Sequence, residues 1–180
     1  MAVRTFREHS PQIGADTYID ESAQVIGQVE IGSDSSIWPN TVIRGDVNRI
    51  KIGDRTNIQD SSVLHVTHAH PAHENPDQIA NGFPLTIGNF VTVGHKVILH
   101  GCTIEDFCLI GMGAIVMDNA YIEKNVLVGA GSLIAPGKRL QSGFLYLGCP
   151  AKKIRPLRDD EMNNFEYSAE HYKQLKNQYL

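Results

Sequence analysis

Aliphatic residues return every six positions along most of this chain. Stepping from Ile13 gives Ile19, Val25, Ile31, Ile37 and Ile43, and the count restarts at Ile52, Ile58 and Leu64. It restarts again at Ile87, Val93 and Leu99, then runs through Ile104, Ile110, Val116, Ile122, Val128, Ile134 and Leu140. A period of six fits neither an amphipathic helix nor the two-residue alternation of a half-buried strand. It fits the hexapeptide repeat of a parallel β-helix, in which each hexapeptide makes one short strand and a turn. Three hexapeptides make a triangular coil, and each aliphatic side chain points inward onto its counterpart one coil away, about 4.8 Å along the axis. Glycine often follows the core residue, as at Gly14, Gly32, Gly53, Gly88, Gly94, Gly111 and Gly129. There it is expected to relieve crowding and to tolerate an unusual φ at the bend.

Grouped in threes, the core positions predict the coils Ile13/Ile19/Val25, Ile31/Ile37/Ile43, Ile52/Ile58/Leu64, Ile87/Val93/Leu99, Ile104/Ile110/Val116 and Ile122/Val128/Ile134. The period breaks three times: nine residues separate Ile43 from Ile52, twenty-three separate Leu64 from Ile87, and five separate Leu99 from Ile104. Every break follows the third strand of a coil, so one corner of the prism is disturbed in three successive coils. Loops on a rigid scaffold carry function more often than the scaffold does, which directs attention to that corner.

The columns then place the candidate chemistry. The residue after the third core position is Arg44, then His65, then His100 in successive coils, so these three stack beside the disturbed corner. His95 stands two places after the second core position, in a column with Asp60, on a different face. Neutral imidazoles suit zinc, and three of them leave a fourth tetrahedral position open for water. One chain is not expected to bring all three together. A ring of three prisms would set the second face of one subunit against the third corner of the next, so that His65 and His100 of one chain meet His95 of its neighbour. His68, His70 and His73, in the proline-bearing loop 66–86, read as a solvated surface.

Composition narrows the class. The chain has 180 residues, 42% hydrophobic and 20% charged, which suits one globular domain. A formal charge of -4 without a Lys/Arg cluster gives no nucleic-acid or membrane footprint. Cys102, Cys108 and Cys149 are odd in number, lack metal-type spacing and read as reduced, buried thiols. With no apolar signal core at the start, the expected compartment is the cytoplasm. The expected organisation is an N-terminal cap over 1–12, a β-helix over 13–155 carrying the loop 66–86, and a C-terminal helix within 156–180.

The residues Arg44-Gly45-Asp46, Asn57-Ile58-Gln59-Asp60, His65, Gly94-His95 and His100-Gly101 in a hexapeptide β-helix resemble the γ-class carbonic anhydrases, most closely their short bacterial subgroup. The likeness runs from about Ile13 to the tail. It implies a left-handed β-helix, a homotrimer, and a metal ion at each subunit interface held by His65 and His100 of one chain and His95 of the next. Zinc is the expected ion, and iron or cobalt would also suit three imidazoles. The resemblance further implies that Gln59 orients the attacking oxygen, that Asn57 supports it, and that Arg44 lies near the bicarbonate position. Arg44, Asp46 and Asp60 would serve subunit pairing, with Asp60 as the ionic partner of Arg44. Tyr167 is the tail tyrosine expected to approach the site, with Tyr172 as the rival. The implied reaction is reversible hydration of carbon dioxide to bicarbonate.

The chain departs from the best-known γ enzymes in one respect. They carry a glutamate just after the Arg-x-Asp motif and another in an acidic loop, where this chain has Val47 and the histidine-bearing loop. The loop histidines or Glu74 are then the candidates to export the proton. Two other readings share the scaffold: a hexapeptide acyltransferase using acyl-CoA, whose tail often resembles Gly148-Cys149-Pro150-Ala151, and a non-catalytic metal-stabilised assembly subunit.

Overall fold

The computed structural model describes residues 2–70 and 81–180. It is a parallel β-solenoid of about seven turns with one C-terminal helix. The three columns of core residues stack in the predicted register. On the first face Ile13, Ile31, Ile52, Ile87, Ile104, Ile122 and Leu140 pair in succession. The second runs Ile19, Ile37, Ile58, Val93, Ile110, Val128 and on to Tyr146, and the third runs Val25, Ile43, Leu64, Leu99, Val116 and Ile134. From Val25 to Leu140 each member of these columns is buried. Each such side chain contributes about 1.5–3 kcal/mol through removal from water, which is why a stack of two-residue strands holds together.

The ends depart from the repeat. Ile13, expected in the core, is 38% exposed, because no complete coil lies beneath it. The cap is less irregular than expected: Val3–Arg4 pairs in parallel with Val25–Ile26 and so begins the third column. At the other end Phe144–Gly148 and Ala151–Pro156 form an antiparallel hairpin, within the span 13–155 expected to be β-helix.

The corner chemistry also needs one correction. From Asp16 on, the non-glycine residues with positive φ stand three places after the core position, among them Asp34, Arg55, Phe90, Lys96, Phe107 and Asn125, and the glycines that follow it directly do not have positive φ. Those glycines serve close approach: a Cβ on Gly53 would lie 2.6 Å from the carbonyl carbon of Gly88 in the next coil.

The disturbed corner takes three forms. The strands Gln24–Ile31 and Val42–Ile52 run through it without a turn, carrying Arg44 and Asp46. In the next coil the chain leaves after Val66, and Thr67 and Phe83 exchange two backbone hydrogen bonds of 3.0 Å at the base of the excursion. His73, Glu74, Pro71 and Pro76 lie outside the described residues. In the fourth coil the five-residue gap is closed at Gly101, with φ of +50°.

The helix Asp159–Lys176 lies on the second face, over the strands Ser36–Ile37, Asn57–Ile58 and Thr92–Val93. Phe165, Ala169 and Lys176 are its buried residues, and Lys176 is neutralised by Asp34 at 3.4 Å. Asp159, Asp160 and Glu161 occupy its first turn, where carboxylates suit the helix dipole. Among the described residues no helix is long and apolar enough to cross a membrane.

Candidate metal centre

His65 and His100 are paired across adjacent strands of the third face, one residue past the core. Their rings converge: His65 Nδ1 lies 3.1 Å from His100 Nε2. The outer nitrogens are already committed. His65 Nε2 donates to Asp46 Oδ1 at 3.0 Å and His100 Nδ1 donates to Asp118 Oδ1 at 2.7 Å. Each ring therefore carries its single proton on the outside, and the two inner nitrogens face each other with lone pairs. Two acceptors at that separation need a cation or a proton between them. Two nitrogens at a Zn–N distance of 2.0–2.1 Å around a tetrahedral ion would stand about 3.3 Å apart, close to what is found.

His95 repeats the pattern on the neighbouring face. Its Nδ1 donates to Asp60 Oδ2 at 2.8 Å, which leaves Nε2 as an open lone pair, and its side chain is 45% exposed. Metal-bound histidines characteristically donate the other ring N–H to a carboxylate, which fixes the tautomer and orients the ring. Here each of the three candidate ligands has such a carboxylate. Among the described residues no three His, Cys, Asp or Glu side chains of the single chain form a ligand group. The donor set fits a divalent metal once a third imidazole joins the His65–His100 pair.

The electrostatics favour a ligand-ready His65. Burial, together with the positive charge of Arg44, outweighs the hydrogen bond to Asp46 and lowers the His65 pKa, toward the neutral form. Burial raises the Asp46 carboxyl, but the hydrogen bonds from His65 and Arg44 and the charge of Arg44 prevail and hold it below its ordinary value. Arg44 is thus bonded to Asp46 and Asp60 to His95. The expected Arg44–Asp60 pair does not form within the chain, because each acid is nearer to another partner.

Gln59 and Asn57 flank the core residue Ile58 and are 5% and 1% exposed. Gln59 Nε2 donates to Asn57 Oδ1 at 3.1 Å, and Asn57 Nδ2 donates to Thr92 Oγ1 at 3.0 Å. Tyr167 is 69% exposed and stacks on His171. Tyr172 packs edge-on to Trp38, and burial together with the charge of Asp60 raises its phenol pKa.

A hexapeptide family, bacterial transferase hexapeptide (six repeats), matches residues 10–45 and 101–136. Protein YrdA of Escherichia coli is 54% identical over 99% of this chain and 94% of its own length. A carbonic anhydrase of Geobacillus kaustophilus is 42% identical, covering 93% of this chain and 85% of that one. The mitochondrial γ carbonic anhydrase 2 of Arabidopsis thaliana is also 42% identical, over 92% of this chain and 57% of that longer one. The chain belongs to the γ-carbonic-anhydrase-like family of hexapeptide-repeat proteins. Its fold is shared with a hexapeptide transferase family protein from Anaplasma phagocytophilum, with a TM-score of 0.89 and 39% identity over 99% of this chain and 98% of that one.

Two participants in this family member's site were not singled out in the sequence. Asp118 lies one coil beyond His100, two residues after the core position Val116, and Thr67 Oγ1 donates to the same Asp118 oxygen at 2.9 Å. A strict count by sixes from His100 reaches Asp118, but the five-residue gap after Leu99 resets the register, so the histidine column passes to Met117 and Asp118 stands one place outside it. An acid near the column was the available signal.

Proposed function

We propose that this chain hydrates carbon dioxide reversibly, at zinc sites shared between the subunits of a homotrimer. The observation that carries this reading is the carboxylate behind each histidine: Asp46, Asp118 and Asp60 accept hydrogen bonds from the outer N–H groups of His65, His100 and His95, which leaves the other ring nitrogen of each with its lone pair. Zinc, when bound, supplies a hydroxide nucleophile at neutral pH. The naming of relatives as carbonic anhydrases agrees with that chemistry.

The chain's own groups then have defined tasks. His65 and His100 form one half of the ligand set and His95 of a neighbouring copy forms the other. Gln59 has its Nε2 engaged by Asn57, which leaves Oε1 as a buried acceptor able to orient the attacking oxygen. Arg44, partly exposed, supplies positive charge where bicarbonate forms. Hydration of one carbon dioxide by one water yields bicarbonate and one proton. That proton leaves to buffer or to the exposed His68, which lines a surface pocket with Asp46 and packs against His70. Val63, Ile98 and Ile115 form an exposed aliphatic stripe on the third face, and covering it with a second copy offers a hydrophobic reason for side-by-side association.

The acyltransferase reading has the Anaplasma relative's name in its favour. A general base needs one histidine, whereas here two are aimed at a common point. Subunit mixing tests the proposal. His65→Ala and His95→Ala homotrimers each lack one ligand at every interface. Unfolded together in equal amounts and refolded, they regenerate a complete site only where a His95→Ala chain supplies the pair and a His65→Ala chain supplies His95, at about a quarter of interfaces in a cyclic trimer. Zinc content and hydration rate should return to about that fraction. Mixing His65→Ala with His100→Ala should restore nothing. Absence of zinc from the first mixture despite proven subunit exchange would overturn the shared site.

A further inference from the structure

The amide of Gln59 ends a chain of hydrogen bonds that begins on the C-terminal helix. Ser168 Oγ lies 2.8 Å from Thr92 Oγ1, Thr92 Oγ1 accepts from Asn57 Nδ2 at 3.0 Å, and Asn57 Oδ1 accepts from Gln59 Nε2 at 3.1 Å. Thr92, Asn57 and Gln59 are all buried. A hydroxyl has one proton and two lone pairs. With Ser168 Oγ as the acceptor, Thr92 directs its one proton to the helix and keeps a lone pair for Asn57 Nδ2. That choice fixes the next two: Asn57 must point its NH2 at Thr92 and its carbonyl at Gln59, and Gln59 must answer with Nε2. The carbonyl Oε1 is then the acceptor that remains on Gln59, a residue 5% exposed, and it has no hydrogen-bond partner among the described residues.

We propose that Ser168 and Thr92 are positioning residues, which set the polarity of the Gln59 amide from the helix so that an acceptor, and not a donor, is offered to the reacting oxygen. This rests on the reading of Gln59 given under Proposed function. Reversing the relay would present the NH2 of Gln59 instead. A donor there would compete for the lone pair that attacks carbon dioxide, whereas an acceptor takes the O–H and leaves that lone pair free. The helix thereby acts on the site through one serine, although it lies on the face of the prism next to the histidine pair. Neighbouring contacts hold the serine in place: Phe165 and Ala169 are buried, and Tyr172 packs on Trp38.

Thr92→Val keeps the shape of the side chain and removes the hydroxyl, Thr92→Ser keeps the hydroxyl, and Ser168→Ala removes the far end of the relay. The first readout needs no activity: NMR hydrogen exchange of the Gln59 side-chain amide, its resonance assigned by its loss in Gln59→Glu. Exchange should accelerate about tenfold in Thr92→Val and Ser168→Ala, the factor set by one ordinary hydrogen bond, and return to the wild-type rate in Thr92→Ser. Trp38 fluorescence confirms that the helix stays docked. In the zinc-loaded protein kcat should fall in the same two variants, with zinc content and KM held, and recover in Thr92→Ser. Unchanged exchange in Thr92→Val, or a Thr92→Ser variant as impaired as Thr92→Val, would overturn the relay. If the wild-type zinc protein hydrates no carbon dioxide, the proposed function falls, and the exchange comparison still decides whether the relay holds the amide.

Discussion

Replacing Gly101 by alanine separates the role of the carboxylate behind His100 from that of the histidine itself. Gly101 has φ of +50°, a region that costs an L-residue about 1–2 kcal/mol. The new Cβ would also stand 2.3 Å from Asp118 Oδ1 and 2.7 Å from Phe83 Cβ, closer than real contacts allow. Asp118 must swing away, and it then loses His100 Nδ1 at 2.7 Å and Thr67 Oγ1 at 2.9 Å. The His100 and Asp118 side chains are 38% and 33% exposed, so water recovers part of the loss. That contribution is about 1–2 kcal/mol. The sum is about 2–4 kcal/mol, read by urea unfolding of the metal-free protein. Zinc affinity should fall about 10- to 100-fold, the usual consequence of removing the carboxylate behind a ligating histidine. Gly131→Ala is the control, because Gly131 also has positive φ, +66°, but its Cβ would meet nothing within 4 Å. It should cost only the backbone amount, about 1–2 kcal/mol, and leave zinc affinity unchanged. If the two variants match in both stability and zinc affinity, Asp118 does not hold His100 for a metal.

Leu99→Ala removes a fully buried side chain stacked between Leu64 and Val116, and should cost about 2–5 kcal/mol in urea unfolding. His68→Ala, at an exposed position, should cost almost nothing, and equal costs at the two positions would contradict the core register. Glu161 gives a pH test. Hydrogen bonds from the Arg155 side chain and the Arg158 backbone lower its pKa to about 2, below the unfolded value, so its contribution to helix docking is present above the ordinary carboxylate range and lost as pH falls toward 2. Trp38 fluorescence should follow that loss in the wild type, and Glu161→Gln should be weaker at neutral pH and lack this component; an identical acid profile in the two would count against it.

The coils were legible because one physical requirement, an inward aliphatic side chain every six residues, recurs without regard to local context. The same count put His65 and His100 in one column, and the strands pair them. It stopped early at the C-terminal end because Tyr146, six residues beyond Leu140, is aromatic, although it is buried and occupies the next core position. The antiparallel return of Ala151–Pro156 against Phe144–Gly148 was hidden for another reason. It pairs through backbone groups, and its side chains alternate weakly between faces, with Lys152, Lys153 and Ile154 all exposed. The positive-φ positions escaped as well, because Asp, Asn, Arg, Phe and Lys occupy them in turn and only their place in the repeat is constant.

What the column count could not supply is the second partner of each histidine, and the reason lies in how the disturbed corner works. A strict repeat places every residue above its counterpart, so it can bring His100 beneath His65 but cannot aim either ring. Aiming takes departures from the repeat. The unbroken strand Val42–Ile52 carries Asp46 past the corner to within 3.0 Å of His65 Nε2. The short gap after Leu99 is closed at Gly101, whose missing side chain lets Asp118 reach His100 from the next coil, while the pinch at Thr67 and Phe83 holds Thr67 against the same carboxylate. His95 needs no such device, because Asp60 already stands in its own column one coil away, where the strict repeat delivers it. The two halves of the proposed site are therefore built by different means: the His95 half by the repeat, and the His65–His100 half by its interruptions. Insertions or deletions at this corner should accordingly disable the histidine pair and leave the His95–Asp60 contact intact.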